Sequence, residues 1–253
     1  MNKKIALITG ATSGIGYDTA LILAENNYDL ILTGRRIDRL NSLKQEIELK
    51  YKNKVLTLNF DIQKKEETDQ ALDSIEPEWQ AIDVLINNAG LAAGLDPIYS
   101  AQIDDWETMI DTNIKGLLYV TRKVVNWMIE RKEGHIINLS SIAGKEPYPN
   151  GSVYCGTKSA VATISRAMRI ELLQYGIKVS SIAPGAVDTE FSTVRFHGDK
   201  ERAQKVYNGF VPLTGKDIAD TILFILTRPK HVNIDDLLIT PTAQGSARDF
   251  HRV

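Results

Sequence analysis

At 253 residues with a formal net charge of −2 at pH 7, the chain is long enough to bury a full core and has no basic footprint for nucleic acid. Its single cysteine, Cys155, excludes an internal disulfide and fits a reducing cytoplasm; small buried filler is the expectation for it, against a reactive thiol beside Tyr154. No apolar run approaches the ~18 residues of a membrane span, and the N-terminal one is too short for a signal peptide, so a soluble, cytoplasmic protein is expected.

Residues 4–9 (KIALIT) form a continuous apolar run of strand length, the pattern of a strand covered on both faces. The run leads into Thr9-Gly10-Ala11-Thr12-Ser13-Gly14-Ile15-Gly16, and a helix follows with Ala20, Leu21, Leu23 and Ala24 as its apolar stripe. Strand, glycine-rich turn and helix start make an anion site: the glycines admit a pyrophosphate to the backbone, and unpaired amides face its charge. The spacing is Gly-x-x-x-Gly-x-Gly, not the commoner Gly-x-Gly-x-x-Gly, and the competing reading is a plain tight turn. A second strand, 29–33, ends in Gly34-Arg35-Arg36. There a dinucleotide fold meets the adenosine ribose, with an acidic residue for NAD or an arginine for the 2′-phosphate of NADP. Two arginines with no carboxylate before Asp38 point to NADP, because guanidinium forks match phosphate oxygens.

A helix over 36–51 and a strand over 55–60 lead to Asp61, placed either to accept from an adenine amino group or to cap a helix. A polar helix over 63–75 and a strand over 81–86 follow, ending in Asn87-Asn88-Ala89-Gly90. Ligands sit at such strand ends in open parallel sheets, so cofactor contact is expected, against asparagines that merely satisfy loop backbone. One long helix is predicted over 103–131, with Trp106, Met109, Ile110, Ile114, Leu117 and Val124 on a broad apolar face. Asn113 lies among them, and a mid-helix asparagine there implies either a buried hydrogen-bonding role or an exposed polar position.

A strand over 135–139 delivers Ser140 and Ser141, and a helix predicted over 152–175 carries Tyr154 and Lys158 four residues apart, on one face. A phenol ordinarily ionises near ~10, and a neighbouring ammonium favours the phenolate. With the Ser141 hydroxyl, these groups suit proton transfer to or from an alcohol or carbonyl oxygen; alone, the pair reads more readily as an exposed tyrosine and lysine. A strand over 178–183 ends in Pro184-Gly185. Residues 189–210 lose periodicity but keep Phe191, Val194, Phe196, Val206 and Tyr207 among charges, as a mobile segment closing over a substrate would. A helix over 214–227 and a strand over 237–240 complete an α/β fold: one doubly wound, seven-stranded parallel sheet with helices on both faces. His135, His197, His231 and His251 are scattered and indicate no metal site; the lack of Gly-x-Ser-x-Gly argues against a hydrolase of that type.

The pieces Thr9 to Gly16, Asn87 to Gly90, Asn113, Ser141, Tyr154-x-x-x-Lys158 and Pro184-Gly185, in this order over essentially the whole chain, resemble the short-chain dehydrogenase/reductase family. The resemblance implies an enzyme with one NADP-binding Rossmann-like domain over 1–253 and a substrate lid at about 189–212. It makes Tyr154 the acid/base and has Ser141 bind the substrate oxygen. It has Lys158 hold the nicotinamide ribose and lower the tyrosine pKa, and Asn113 position a water in a proton relay. Ser140 is the alternative serine, but the family's spacing to the tyrosine selects Ser141. Cofactor contacts are implied for Gly10, Thr12, Ser13, Gly14, Ile15, Gly16, Arg35, Arg36, Asp61, Ile62, Asn88, Ala89, Gly90, Tyr154, Lys158, Pro184, Gly185, Val187 and Thr189. The stretches Thr189 to Phe196, Val206-Tyr207, Pro212 to Thr214, Arg228-Pro229 and His231 to Ile234 resemble the branch of NADP-dependent 3-hydroxy-acid dehydrogenases, acting on serine, allo-threonine and 3-hydroxypropionate, or malonic semialdehyde in reverse. A small hydroxy acid calls for a carboxylate clamp; Arg195 is the candidate, against a solvated arginine. The alternatives are a reductase of neutral ketones or sugars and a non-enzymatic NADP-binding regulator. Apolar residues beyond one stripe on the 103–131 and Tyr154 helices, with the family's habit, imply a homotetramer or dimer.

Overall fold

The computed structural model of the protein describes residues 3–253. Its apolar runs become strands β1 (Lys4–Ile8), β2 (Tyr28–Gly34), β3 (Val55–Asn59), β4 (Ile82–Asn87), β5 (Gly134–Leu139) and β6 (Ile177–Pro184). Two short strands, β7 (Val187–Asp188) and β8 (Leu213–Thr214), precede the last, β9 (Asp236–Ile239). The main sheet runs β3-β2-β1-β4-β5-β6-β9, parallel throughout.

Period-two alternation sends neighbouring side chains of these strands to opposite faces, and both faces are covered. Ala6, Ile8, Leu30, Leu32 and Ile86 pack with Ala20 and Leu23 of α1 (Gly14–Glu25), Leu40 and Ile47 of α2 (Ile37–Tyr51), and a late helix contributing Ile218 and Ile222. Leu7, Ile31, Leu85 and Ile136 face the other way, against Leu72 of α3 (Lys65–Asp73) and residues of two longer helices. Each of these leucines and isoleucines contributes ~1.5–3 kcal/mol by burial, which holds the strand ends rigidly enough to carry a site.

The predicted helix over 103–131 is a continuous helical path but not a uniform one. Between α4 (Ile103–Ile110) and α5 (Leu117–Arg131) the backbone widens into a π turn, Asp111–Gly116, which carries Asn113. Such single widened turns often mark functional sites, since they redirect a side chain without ending the helix. Next comes α6 (Ser152–Leu172), which carries Tyr154 and ends three residues short of the prediction, in a 3-10 turn, Leu173–Tyr175. The segment read as aperiodic contains two short helices, α7 (Phe191–Arg195) and α8 (Lys200–Lys205). Its two ends are pinned together because β7 pairs with β8. Thr214 then opens α9 (Gly215–Leu226) with a reciprocal capping box to Asp217, which fixes where the segment stops. Among the described residues no helix is long and apolar enough to cross a membrane.

Candidate active site

The strand order reverses between β1 and β4, and in such sheets a crevice opens at the carboxyl ends of the strands. Here those ends line one cleft of about 760 Å³, within the range of small-molecule sites. Of the residues read from the sequence as catalytic, substrate or cofactor contacts, all but Gly16, Asn87 and Asn113 line it.

The β1–α1 turn is built to face an anion. Gly14 sits at φ +53°, and a Cβ there would lie 3.0 Å from the Thr189 side chain. Ser13 stands at the N-cap of α1 without capping it, and the first turn holds no acidic residue, so no side chain of that turn competes for the leading amides. Gly16 serves packing instead: a Cβ would collide with the Gly10 carbonyl, so its expected cofactor contact becomes a close approach of helix to turn. Asn88 holds the same turn, its amide donating to the carbonyls of Thr9 at 2.9 Å and Gly10 at 3.2 Å. The alternative reading of the asparagines therefore describes these bonds, while Asn88 also lines the cleft. Asn87 donates to Thr121 Oγ1 and Asn138 Oδ1 in the core, at 2.9 and 2.8 Å.

At the end of β2, Arg36 donates to Thr12 Oγ1 and Ser13 Oγ at 2.8 Å and to Glu190 at 2.7 Å. Arg35 lies 3.7 Å from the Asp61 carboxylate and is 60% exposed, free to reach a ligand. Asp61 caps no helix, since α3 starts at Lys65; its Oδ1 accepts from the Gln63 amide in a local turn. Two cationic forks, two hydroxyls and uncontested helix amides are a donor set that fits a dinucleotide with a 2′-phosphate.

Tyr154 is buried beside Phe191, ring centroids 5.6 Å apart, and Arg195 lies 5.6 Å from its ring centre. Burial and the neighbouring Tyr148 push its phenol above the ordinary range, against the opposing pull of a Ser141 hydrogen bond and the Arg195 charge. This corrects the expectation that Lys158 sets the shift. The Lys158 ammonium donates to the Leu139 carbonyl at 2.8 Å, and burial brings its own pKa down to about 8. Ser140 donates to the Lys158 carbonyl at 2.8 Å and is thereby committed to the backbone. Ser141 accepts from the Ala143 amide at 3.1 Å, and its own proton is held loosely, 3.5 Å from the Pro184 carbonyl and within reach of the Tyr154 hydroxyl, so it is the serine whose donor faces the reacting phenol.

Asn113 is buried behind the cleft. Its Oδ1 accepts from the Leu91 amide at 2.9 Å, and its Nδ2 donates to the Leu91 carbonyl at 2.8 Å and Thr157 Oγ1 at 3.0 Å. A Cβ on Gly90 would lie 3.2 Å from both Asn113 Oδ1 and Lys158 Nζ, so a side chain there would crowd both groups. Cys155 is buried filler at 3% exposure.

Arg195 is not solvated. Its Nε donates to the Gly94 carbonyl at 3.2 Å and its Nη1 to the Tyr148 hydroxyl at 3.0 Å, while Nη2 is buried without a hydrogen-bond partner. The cleft also takes Tyr148 and a C-terminal group, Gln244, Ala247, Arg248, Phe250 and Arg252, that sequence reasoning missed. For Tyr148 the signal was an aromatic between two prolines, Pro147 and Pro149. Among the described residues no three His, Cys, Asp or Glu side chains gather to hold a metal ion.

The model of the short chain dehydrogenase family matches residues 4–200. The chain belongs to that family. It is accordingly an oxidoreductase of the short-chain type. It is 45% identical to the NADP-dependent 3-hydroxy acid dehydrogenase of Schizosaccharomyces pombe, over 100% of this chain and 98% of that one. It is 48% identical to a probable NADP-dependent dehydrogenase of Haemophilus influenzae, over 98% and 97%. A solved structure of the closed form of serine dehydrogenase complexed with NADP+ superposes with a TM-score of 0.92 at 42% identity, covering 98% of this chain and all of that one.

Proposed function

We propose that the protein is an NADP-dependent dehydrogenase of small 3-hydroxy acids, of the serine, allo-threonine and 3-hydroxypropionate type, working in the cytoplasm. The carrying observation is the unpartnered, buried Nη2 of Arg195 beside Tyr154. A buried guanidinium N–H without an acceptor is costly, and a substrate carboxylate supplies the missing partner. The names of the relatives at 45% identity support the same substrate class. NADP, when bound, accepts or supplies the hydride at the carbinol carbon.

The chain's own residues manage the oxygen of that carbon. Ser141 donates its loosely held proton to the substrate oxygen and Arg195 fixes the carboxylate, which aims the hydroxyl at Tyr154. In reduction the protonated phenol of Tyr154 gives its proton to the oxygen; in oxidation it takes the proton back. Lys158, charged below about pH 8, holds the ribose beside Tyr154. Asn113 keeps one Oδ1 lone pair free near Lys158 for a relay water. Residues 189–212 form the lid, hinged at the β7–β8 pair. The exposed Ile103, Ile110 and Leu118 on α4–α5, Ile170 on α6 and Leu173 just after it make the faces of a homotetramer.

Tyr154→Phe tests the chemistry. Turnover should fall by ~10²-fold or more while NADP, followed by fluorescence, still binds; unchanged turnover would dismiss Tyr154 as the acid/base.

A further inference from the structure

Glu190 is where the two ends of the cleft meet. It stands at the N-cap of α7, one residue before Phe191, which packs on Tyr154, and five before Arg195. Its carboxylate spans two guanidiniums from the end of β2 and the start of α2: Oε2 accepts from Arg36 at 2.7 Å and Oε1 from Arg39 at 2.7 Å. Arg36 directs its Nε and Nη2 donors to Thr12 and Ser13, so its Nη1, one proton of which goes to Glu190, is shared between the lid and anything that approaches the ribose. Thr189, one residue earlier, rests on the open face of Gly14.

We propose that Glu190 is a positioning residue that ties the lid to the arginines of the adenosine-phosphate end, so that Arg36 serves both lid closure and phosphate recognition. The tether works by holding the first turn of α7, which sets where Phe191 and Arg195 stand over Tyr154. A 2′-phosphate on Arg36 competes with one oxygen of Glu190, while Arg39 keeps the other. All three side chains are 42–48% exposed, so the tether is screened by solvent and its effects are several-fold, not orders of magnitude.

The lid's role in substrate binding rests on the 3-hydroxy-acid reading, but the tether itself does not, and Glu190→Gln separates the two. In the ligand-free protein, amide hydrogen exchange across residues 191–205 should speed up by ~2–5-fold, a readout that needs no substrate. At saturating NADP the KM for a 3-hydroxy acid should rise by a similar factor with kcat within about twofold, and Glu190→Asp should recover part of it. Removing the competing charge should tighten NADP binding ~2–5-fold and leave NAD unchanged. Unchanged exchange in 191–205 would overturn the proposal whatever happens to NADP, since Glu190 would then be only a charge near the phosphate. Faster exchange with weaker NADP binding would overturn the sharing of Arg36.

Discussion

Replacing Arg195 with methionine keeps the length of an apolar stem and removes the guanidinium. Two protein hydrogen bonds disappear, to the Gly94 carbonyl and the Tyr148 hydroxyl, each worth ~0.5–1.5 kcal/mol net. That loss disturbs the lid for every substrate. A carboxylate loses in addition the charge-assisted bond from Nη2, worth ~1.5–3 kcal/mol, or a factor of roughly 10–150. The discriminating quantity is therefore a ratio of ratios. The kcat/KM of a 3-hydroxy acid relative to a neutral secondary alcohol of similar size should fall ~10–150-fold in the variant. Initial rates at saturating NADP, followed by absorbance of the reduced cofactor, measure it, and dividing by the neutral substrate cancels the general damage to the lid. Equal losses for both substrates would refute the clamp and leave Arg195 as a lid strut.

The rate of the reductive direction should be flat below pH ~7 and fall as pH rises through about 8, where Lys158 loses its charge; a fall beginning only above pH ~10 would assign the limb to the phenol of Tyr154 instead. Because the folded lysine sits at about 8 and its unfolded value at 10.5, the unfolded chain binds more protons in that window, so this group's contribution to stability grows with pH between them. Lys158→Met should lose turnover yet melt no lower than the parent at pH 7, since it removes a buried charge; a large drop in Tm would contradict that. Light scattering should give the mass of four chains, and Ile170→Glu with Leu173→Glu should lower it; a mass of one chain for the parent would sink the homotetramer.

The sheet was legible because each central strand is buried on both faces and therefore reads as an unbroken apolar run, as in KIALIT and its counterparts at 29–33 and 135–139. Its strand ends shift by a residue or two, which periodicity alone does not resolve. The Tyr154–Lys158 spacing survives as geometry because it is local to one helix. What the pattern did not carry depends on distant partners. Asn113 lies in a widened turn because its side chain pairs with Leu91, 22 positions earlier, and no helical pattern encodes that contact. Asn87 reads as a loop ligand but joins a core network through Asn138, 51 positions later. The C-terminal group is invisible for the same reason: Gln244 reaches the cleft by accepting from the Ala186 amide, 58 positions back. Electrostatic sign was the other loss, because spacing places a lysine near a phenol but says nothing of the burial that raises the phenol's pKa.

The central claim is hydride exchange between NADP and a small 3-hydroxy acid. Its most direct test mixes the purified protein with NADP or NAD and a panel of L-serine, L-allo-threonine, 3-hydroxypropionate and neutral secondary alcohols, followed at the absorbance of the reduced cofactor. Turnover of the 3-hydroxy acids with NADP, and far less with NAD, is the expected result. Turnover of the neutral alcohols alone would contradict the substrate class while leaving the Tyr154 chemistry standing.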